Sequence, residues 1–170
     1  MYKGREIIGL PVVSLAAGKE IGVVEDILWS HPELKIHYLV IDEKGALNRS
    51  RYLPFTEIIS IGTDAVTVSG QQVVEEEDEV SVGKSVKQTG GELVMTQDGK
   101  NLGTLEDVVF DADEGKLLGY EVSTGLVGDL LSGRMTLPPE MICTWGKEAI
   151  ITGYTCPDRG DQDAVPDMPG

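Results

Sequence analysis

The sequence predicts an all-β protein made of two small domains in tandem. Residues 12–42 reappear as residues 93–123 at a constant offset of 81 positions, which indicates an internal duplication. Short apolar runs alternate with turn residues roughly every 8–12 positions, a spacing typical of small barrels or sandwiches. No segment of useful length has helical periodicity, and the apolar positions are mostly Val, Ile and Leu, since aromatic residues make up only 5% of the chain.

The most similar part of the repeat is a nine-residue motif, Gly-Lys-x-x-Gly-x-x-Glu-Asp. It occupies Gly18–Asp26 in copy one and Gly99–Asp107 in copy two. The identical positions over the whole repeat are Val13, Gly18, Lys19, Gly22, Glu25, Asp26, Glu33 and Lys35 with their partners. A period of 81 exceeds the roughly 20–50 residues of solenoid repeats. Each copy is therefore predicted to form a small domain, and two domains of that size are expected to pack against each other.

Copy one is predicted to form a meander of short strands. The predicted strands are Leu10–Leu15, Ile21–Trp29, Ile36–Asp42 and a hairpin-like pair within Ile61–Val68. Both faces of the third strand are mostly apolar, which indicates burial on both sides or a barrel wall. After the polar loop Glu43–Arg49, Pro54 is expected to end a strand, and Phe55 or Thr56 to open a single helical or 3₁₀ turn.

Copy two repeats this order. Its predicted strands are Leu93–Thr96, Leu102–Phe110 and Lys116–Ser123. Further along, Leu137-Pro138 matches Leu53-Pro54 at an offset of 84, so three residues have been inserted between the third strand and this dipeptide. The loop that holds the insertion, Thr124–Arg134, is the largest difference between the copies.

The composition places four segments along the chain. The first domain is predicted at residues 1–76, a linker at 77–90, the second domain at 91–155 and a disordered acidic tail at 156–170. The tail is rich in Asp and Pro, a composition that favours disorder over a packed core.

The net charge of −15 is spread over both halves and excludes several classes of function. No basic face is visible, which argues against direct binding of nucleic acid or anionic lipid. No apolar run approaches the roughly 18 residues of a membrane span, and no leader pattern precedes the first strand. The two cysteines, Cys143 and Cys156, form no metal-binding motif. A cytoplasmic location is expected.

The sequence offers two tempting acidic sites, and both are interpreted as structural. Neighbouring residues on a strand point to opposite faces, so the carboxylates within Glu25–Asp26, or within Glu106–Asp107, cannot share a proton or a metal ion. One carboxylate of each pair is expected to accept hydrogen bonds at a barrel rim, from the backbone or from Lys19 and Lys100. The segment Asp111–Gly115 begins like a calcium loop but lacks the later ligands, which favours a tight turn.

No catalytic, metal or cofactor-binding residues are assigned. The only histidines, His31 and His37, lie in copy one, so a dyad with Cys143 would have to span both domains. The sequence therefore predicts a protein that is not an enzyme.

The insertion loop 125–133 is the candidate partner-binding site. Its glycines give backbone freedom, yet it carries four large apolar residues, and an exposed loop of that composition would be a docking surface. The alternative is that these apolar side chains pack over the barrel end or the other domain. The candidate residues are Leu126, Val127, Asp129, Leu130, Leu131 and Arg134.

The repeated motifs resemble the PRC-barrel domain. The resemblance rests on Gly18–Asp26 and Leu53–Ile59 in copy one, and on Gly99–Asp107 and Leu137–Ile142 in copy two. It extends from about Leu10 to Tyr154, and the family includes the cytoplasmic domain of the photosynthetic reaction-centre H subunit and the C-terminal domain of the ribosome maturation factor RimM. It implies two six-stranded barrels, packed as a pseudo-twofold pair, that make protein contacts without catalytic residues.

Two functions remain open on this basis. The first is a cytoplasmic adaptor that binds a protein partner through barrel edges or the 125–133 loop. The second is a ribosome- or RNA-processing-associated factor similar to RimM, although neither the transmembrane helix of the H subunit nor the separate N-terminal domain of RimM is expected here. The sequence also leaves open whether the chain associates with itself.

Overall fold

A computed structural model describes residues 1–43, 50–71 and 83–153, and the chain is all-β, as predicted. The elements of the first half are β1 (Tyr2–Lys3), α1 (Gly4–Ile7), β2 (Pro11–Ser14), β3 (Lys19–Ser30), β4 (Lys35–Asp42), β5 (Ser50–Pro54), a 3₁₀ turn (Phe55–Glu57), β6 (Ile58–Ile61) and β7 (Val66–Val68). The 3₁₀ turn begins directly after Pro54, where the sequence predicts it.

The second half repeats the order of the strands and of the 3₁₀ turn, whereas its helix lies at a different place. Its elements are β8 (Lys84–Ser85), β9 (Leu93–Thr96), β10 (Asn101–Phe110), β11 (Leu117–Ser123), α2 (Leu126–Ser132), β12 (Met135–Leu137), a 3₁₀ turn (Pro139–Met141), β13 (Ile142–Trp145) and β14 (Ala149–Thr152). Helix α2 lies where the sequence predicts a loop, so that prediction is wrong in its local structure.

The two sheets have equivalent topologies, which confirms the duplication. The strand order is β5-β4-β3-β2-β7-β6 in copy one and β12-β11-β10-β9-β14-β13 in copy two. In each sheet one central pair is parallel, β2 with β7 and β9 with β14, and the other neighbours are antiparallel. The predicted tail, residues 156–170, lies outside the described residues.

The alignment of the two copies needs a one-residue gap near its start. Val12 pairs with Gly22 in copy one, and Val94 pairs with Gly103 in copy two. Since Gly22 and Gly103 are 81 positions apart, Val12 rather than Val13 is the counterpart of Val94. Both Val12 and Val94 are fully buried, and the extra residue lies in the turn of copy one.

The N-terminal segment of each copy pairs with the sheet of the other copy. Strand β1 pairs with β10, so that Tyr2 lies opposite Phe110, whereas β8 pairs with β3 and Lys84 lies opposite Trp29. Each six-strand path therefore gains a seventh strand from the other copy. Part of the predicted linker, residues 77–82, lies outside the described residues, and the remainder contains β8, which belongs to the first sheet.

The copies meet about a pseudo-twofold axis. Lys35 and Lys116, which are 81 positions apart, form an isolated antiparallel bridge. On either side of it, Ile36 N–H donates to Gly115 O at 2.7 Å and Leu117 N–H donates to Leu34 O at 2.9 Å. These two hydrogen bonds join equivalent positions, so the bridge lies on the axis.

An aromatic cluster packs the two copies together next to this bridge. Trp29 of copy one is fully buried, and its ring lies 5.6 Å from that of Tyr120 and 5.5 Å from that of Trp145, both in copy two. The Tyr120 hydroxyl and His31 Nδ1 lie 2.6 Å apart. Trp29 and Trp145 are thus residues of the interface between the copies.

Candidate partner-binding surface

Helix α2 forms the tip of the connection between β11 and β12 and is bounded by glycines. Gly125 before it and Gly133 after it have φ values of 98° and 72°, conformations that favour glycine. Gly133 N–H donates to Asp129 O at 2.9 Å and closes the last turn. The seven-residue helix has little intrinsic stability, because helices this short are marginal in water.

Tertiary hydrogen bonds from Asp129 hold α2 in place. Its carboxylate accepts the Ser123 hydroxyl at 2.7 Å, the Thr124 N–H at 3.0 Å and Arg134 Nε at 3.3 Å. The Ser123 hydrogen bond, together with those of Thr124 and Arg134, lowers the pKa of Asp129 below its usual value. Asp129 and Arg134, two of the predicted site residues, therefore fasten the helix to the barrel.

A buried carboxylate links this helix to the N-terminal strand. The Glu121 side chain is only 4% exposed and accepts Arg134 NH1 at 2.7 Å and Lys3 Nζ at 2.6 Å. Burial raises its pKa, but the hydrogen bonds and charges of Lys3 and Arg134 outweigh that effect and hold the pKa below its usual value. Sequence reasoning missed Glu121, although an acidic residue within the apolar run Lys116–Ser123 was the available signal.

The apolar side chains at the end of α2 point away from the protein. Leu130 is 86% exposed and Leu131 is 81% exposed, the highest values among the large apolar side chains of the described residues after Met1. For these two leucines, the alternative of packing over the barrel end does not hold. The side chains of Leu126 and Val127, two further predicted site residues, lie outside the described part of the structure.

The groove next to α2 is lined by uncharged residues. A shallow groove of about 520 Å³ lies beside the start of the helix, and none of its lining residues is ionisable. They are Asn101, Leu102, Gly103, Thr104, Ser123, Thr124 and Gly125. On a chain with a net charge of −15, α2 and this groove together form a local surface without excess charge.

Copy one differs from copy two at the residue that follows the inserted loop. Ile41 pairs with Arg51 in copy one, and Val122 pairs with Met135 in copy two, so Arg51 and Met135 are counterparts. Arg51 forms an ion pair with Glu43, whereas Met135 is exposed and follows α2. The residues of copy one that correspond to α2 itself fall within 44–49, outside the described residues.

The acidic pairs of the repeated motif are structural, and each works across the boundary between the copies. Asp107 is only 2% exposed and accepts the N–H groups of Arg5 at 3.0 Å and Val108 at 2.8 Å. Burial raises its pKa, and these hydrogen bonds offset the rise in part. The donors are backbone groups, one of the two sources expected for these carboxylates.

Asp26 makes the equivalent contacts in copy one. It accepts the N–H groups of Lys87 at 3.0 Å and Ile27 at 2.7 Å, and the hydroxyl of Ser85. Lys87 and Ser85 belong to the segment that copy two contributes, just as Arg5 belongs to the segment that copy one contributes. The second acid of the motif thus anchors the exchanged segments.

The remaining candidates are the two histidines, Cys143 and the segment Asp111–Gly115. His37 Nε2 lies 2.6 Å from the Glu33 carboxylate, and both line a groove of about 460 Å³ with His31. Cys143 in β13 is disulfide-bonded and supplies no free thiolate. Asp111–Gly115 forms a turn closed by the hydrogen bond from Gly115 N–H to Asp111 O at 2.9 Å.

In the part of the chain that the structure describes, no three His, Cys, Asp or Glu side chains are grouped closely enough to hold a metal ion. Among the helices of residues 1–43, 50–71 and 83–153, none is long and apolar enough to cross a membrane.

Comparisons with known proteins agree with the duplicated fold. The model of the PRC-barrel domain matches residues 1–73 and 90–154, one match for each copy. The uncharacterized protein YrrD of Bacillus subtilis (strain 168) is 30% identical over 132 residues, which cover 76% of this chain and 74% of YrrD. The chain belongs to the PRC-barrel domain family and carries two copies of that domain.

Proposed function

We propose that the protein is a non-enzymatic adaptor that binds a protein partner through α2. The observation that carries this proposal is the exposure of Leu130 and Leu131 on a helix that is held firmly to the barrel. Exposed apolar side chains cost solubility, and contiguous ones mark interaction surfaces. Because Asp129 and Arg134 fix α2 before any partner arrives, little conformational entropy would be lost on binding.

The anatomy around α2 also supports a protein interface. The exposed leucines form an apolar centre, and the uncharged groove and the Asp129–Arg134 pair form a polar rim. We further propose that the protein acts in the cytoplasm, in line with the sequence-based expectation. An RNA- or ribosome-associated role is the weaker candidate, since a net charge of −15 opposes direct contact with phosphates.

The experiment is cross-linking of the tagged full-length chain in the cells that produce it, followed by quantification of the bound proteins. The double variant Leu130→Asp/Leu131→Asp should lose its main cross-linked protein, and its melting temperature should stay close to that of the wild type. The matched control is Leu15→Asp, an exposed leucine in copy one that should change neither result.

Two results would overturn the adaptor proposal. One is an unchanged set of cross-linked proteins in the double variant, because α2 would then not be the docking element. The other is a large loss of stability in the double variant, because the two leucines would then belong to the core. Co-sedimentation of the chain with ribosomal particles at moderate salt would favour the RNA-associated alternative.

A further inference from the structure

We propose that the protein partner of α2 is a second copy of this chain, bound through a twofold contact between the two α2 helices. This inference rests on the proposed function and names the partner for the same surface. Three observations carry it: the local charge balance, the single pair of exposed neighbouring leucines among the described residues, and the geometry of a twofold contact.

Charge decides where two copies can meet. Two chains that each carry −15 repel one another, so self-association needs a contact surface without excess charge. Around α2 the two acids, Asp129 and Glu121, are matched by two bases, Arg134 and Lys3. The neighbouring groove adds no ionisable group. Two α2 surfaces can therefore meet without an excess of like charges at the contact itself.

A single pair of exposed leucines makes a closed dimer the expected assembly. A twofold contact uses the same patch on both partners and is complete with two chains, whereas two self-associating patches per chain would produce filaments. In the part of the chain that the structure describes, Leu130 and Leu131 are the only neighbouring large apolar side chains that are both exposed. At the position of Met135, copy one has Arg51, which is paired with Glu43.

The geometry of the leucines suits a self-complementary contact. Leu130 and Leu131 are adjacent on one projecting helix, so a twofold axis next to them brings four leucines together. The barrel-to-barrel axis at Lys35 and Lys116 is already occupied within the chain and is not available to a second copy. Such a small apolar contact predicts a dimer whose population depends on concentration.

The test is analytical ultracentrifugation of the full chain over about a hundredfold range of concentration. The mass should rise from the 18.3 kDa of the monomer to twice that value. Leu130→Asp/Leu131→Asp should raise the dissociation constant at least about tenfold, and the control Leu15→Asp should leave it unchanged. Added salt should not weaken the wild-type dimer, because the contact contains no unpaired charge.

A charge-rescue experiment distinguishes loss of the dimer contact from misfolding of the variant. A mixture of the Leu130→Asp/Leu131→Asp chain and a Leu130→Lys/Leu131→Lys chain should form a heterodimer, although each variant alone stays monomeric. A wild-type chain that is monomeric throughout, a dimer that survives in the Asp variant, or a mixture that does not associate would each overturn the proposal. If the wild type is monomeric but the Asp variant still loses its cross-linked protein, the adaptor function stands and only the second copy is excluded.

Discussion

The carboxylate of Asp107 in copy two accepts the backbone N–H of Arg5 in copy one at 3.0 Å. The same relationship holds in the other direction between Asp26 and Lys87, also at 3.0 Å. The repeated Asp of the family motif is thus explained by an exchange of chain segments. The buried acid supplies acceptors to a segment that would otherwise carry unpaired donors.

Asp107→Ala should destabilise the protein by about 2 kcal/mol, because it leaves the buried N–H groups of Arg5 and Val108 without acceptors. Urea unfolding measures the change. Glu106→Ala is the control, since the side chain of Glu106 is next to Asp107 in sequence but is partly exposed. Its free energy of unfolding is expected to fall by no more than about 0.5 kcal/mol. Equal losses for both variants would mean that the exchanged segment does not depend on Asp107.

Glu121→Gln should change the pH dependence of stability. The folded-state pKa of Glu121 lies below its usual value near 4.5, so its stabilisation is present above that pH and is lost as the pH falls through the folded pKa. The variant should be less stable than the wild type at neutral pH, and the difference should shrink below about pH 4.5. Thermal unfolding of both proteins between acidic and neutral pH tests this prediction.

Asp107 has the opposite effect in the same experiment. Burial raises its pKa, so its charged form is disfavoured in the folded state and acid relieves that cost. The charge of Glu121 contributes to the raised pKa of Asp107, so the difference between the wild type and Glu121→Gln contains, besides the effect of Glu121, a smaller one through Asp107. A difference that stays constant with pH would contradict the assigned role of the Lys3–Glu121–Arg134 network.

Gly115→Ala should destabilise the junction on the pseudo-twofold axis. Gly115 has a φ of 70°, and an added Cβ would lie 2.7 Å from the Phe55 ring. Gly99→Ala is the matched control, since Gly99 has a φ of 88° but nothing within 4 Å of the added atom. Both variants should lose about 1 kcal/mol to the backbone conformation. Gly115→Ala should lose about 1–3 kcal/mol more to the clash, as measured in urea.

Tyr120→Phe should cost about 1 kcal/mol, because it removes the hydrogen bond to His31 but keeps the ring packed against Trp29 and Trp145. Tryptophan fluorescence during urea unfolding provides the measurement. Both tryptophans lie in the interface between the copies, so the signal reports separation of the copies. A wild-type-like midpoint would show that the hydroxyl contributes nothing to the interface.

The long strands were predictable because several residues cooperate in each of them. The short strand β9 was also predicted with its observed ends, Leu93–Thr96, since the Asp98-Gly99 turn follows directly. The register of β2 was not predictable, because Val12 and Val13 are both valine and either could match Val94. Only the pairing with Gly22 and Gly103 distinguishes them.

The exchanged strands and α2 could not be predicted for physical reasons. Strands β1 and β8 have two residues each, too few for a periodic signal, and their partners are distant in sequence. Helix α2 contains Gly128 and lies between two further glycines, a composition that disfavours a helix. Its stability comes from the tertiary contacts of Asp129, which a local pattern does not reveal.

The exchange of β1 and β8 implies that the two copies would stay bound to each other after the chain between them is cut. A protease cut within residues 72–82 would leave two fragments, and each would still carry the strand that completes the sheet of the other. The pieces should remain associated and behave as the intact chain does. The duplicated gene product is in this sense a tethered heterodimer, and the tether keeps the two halves at equal abundance.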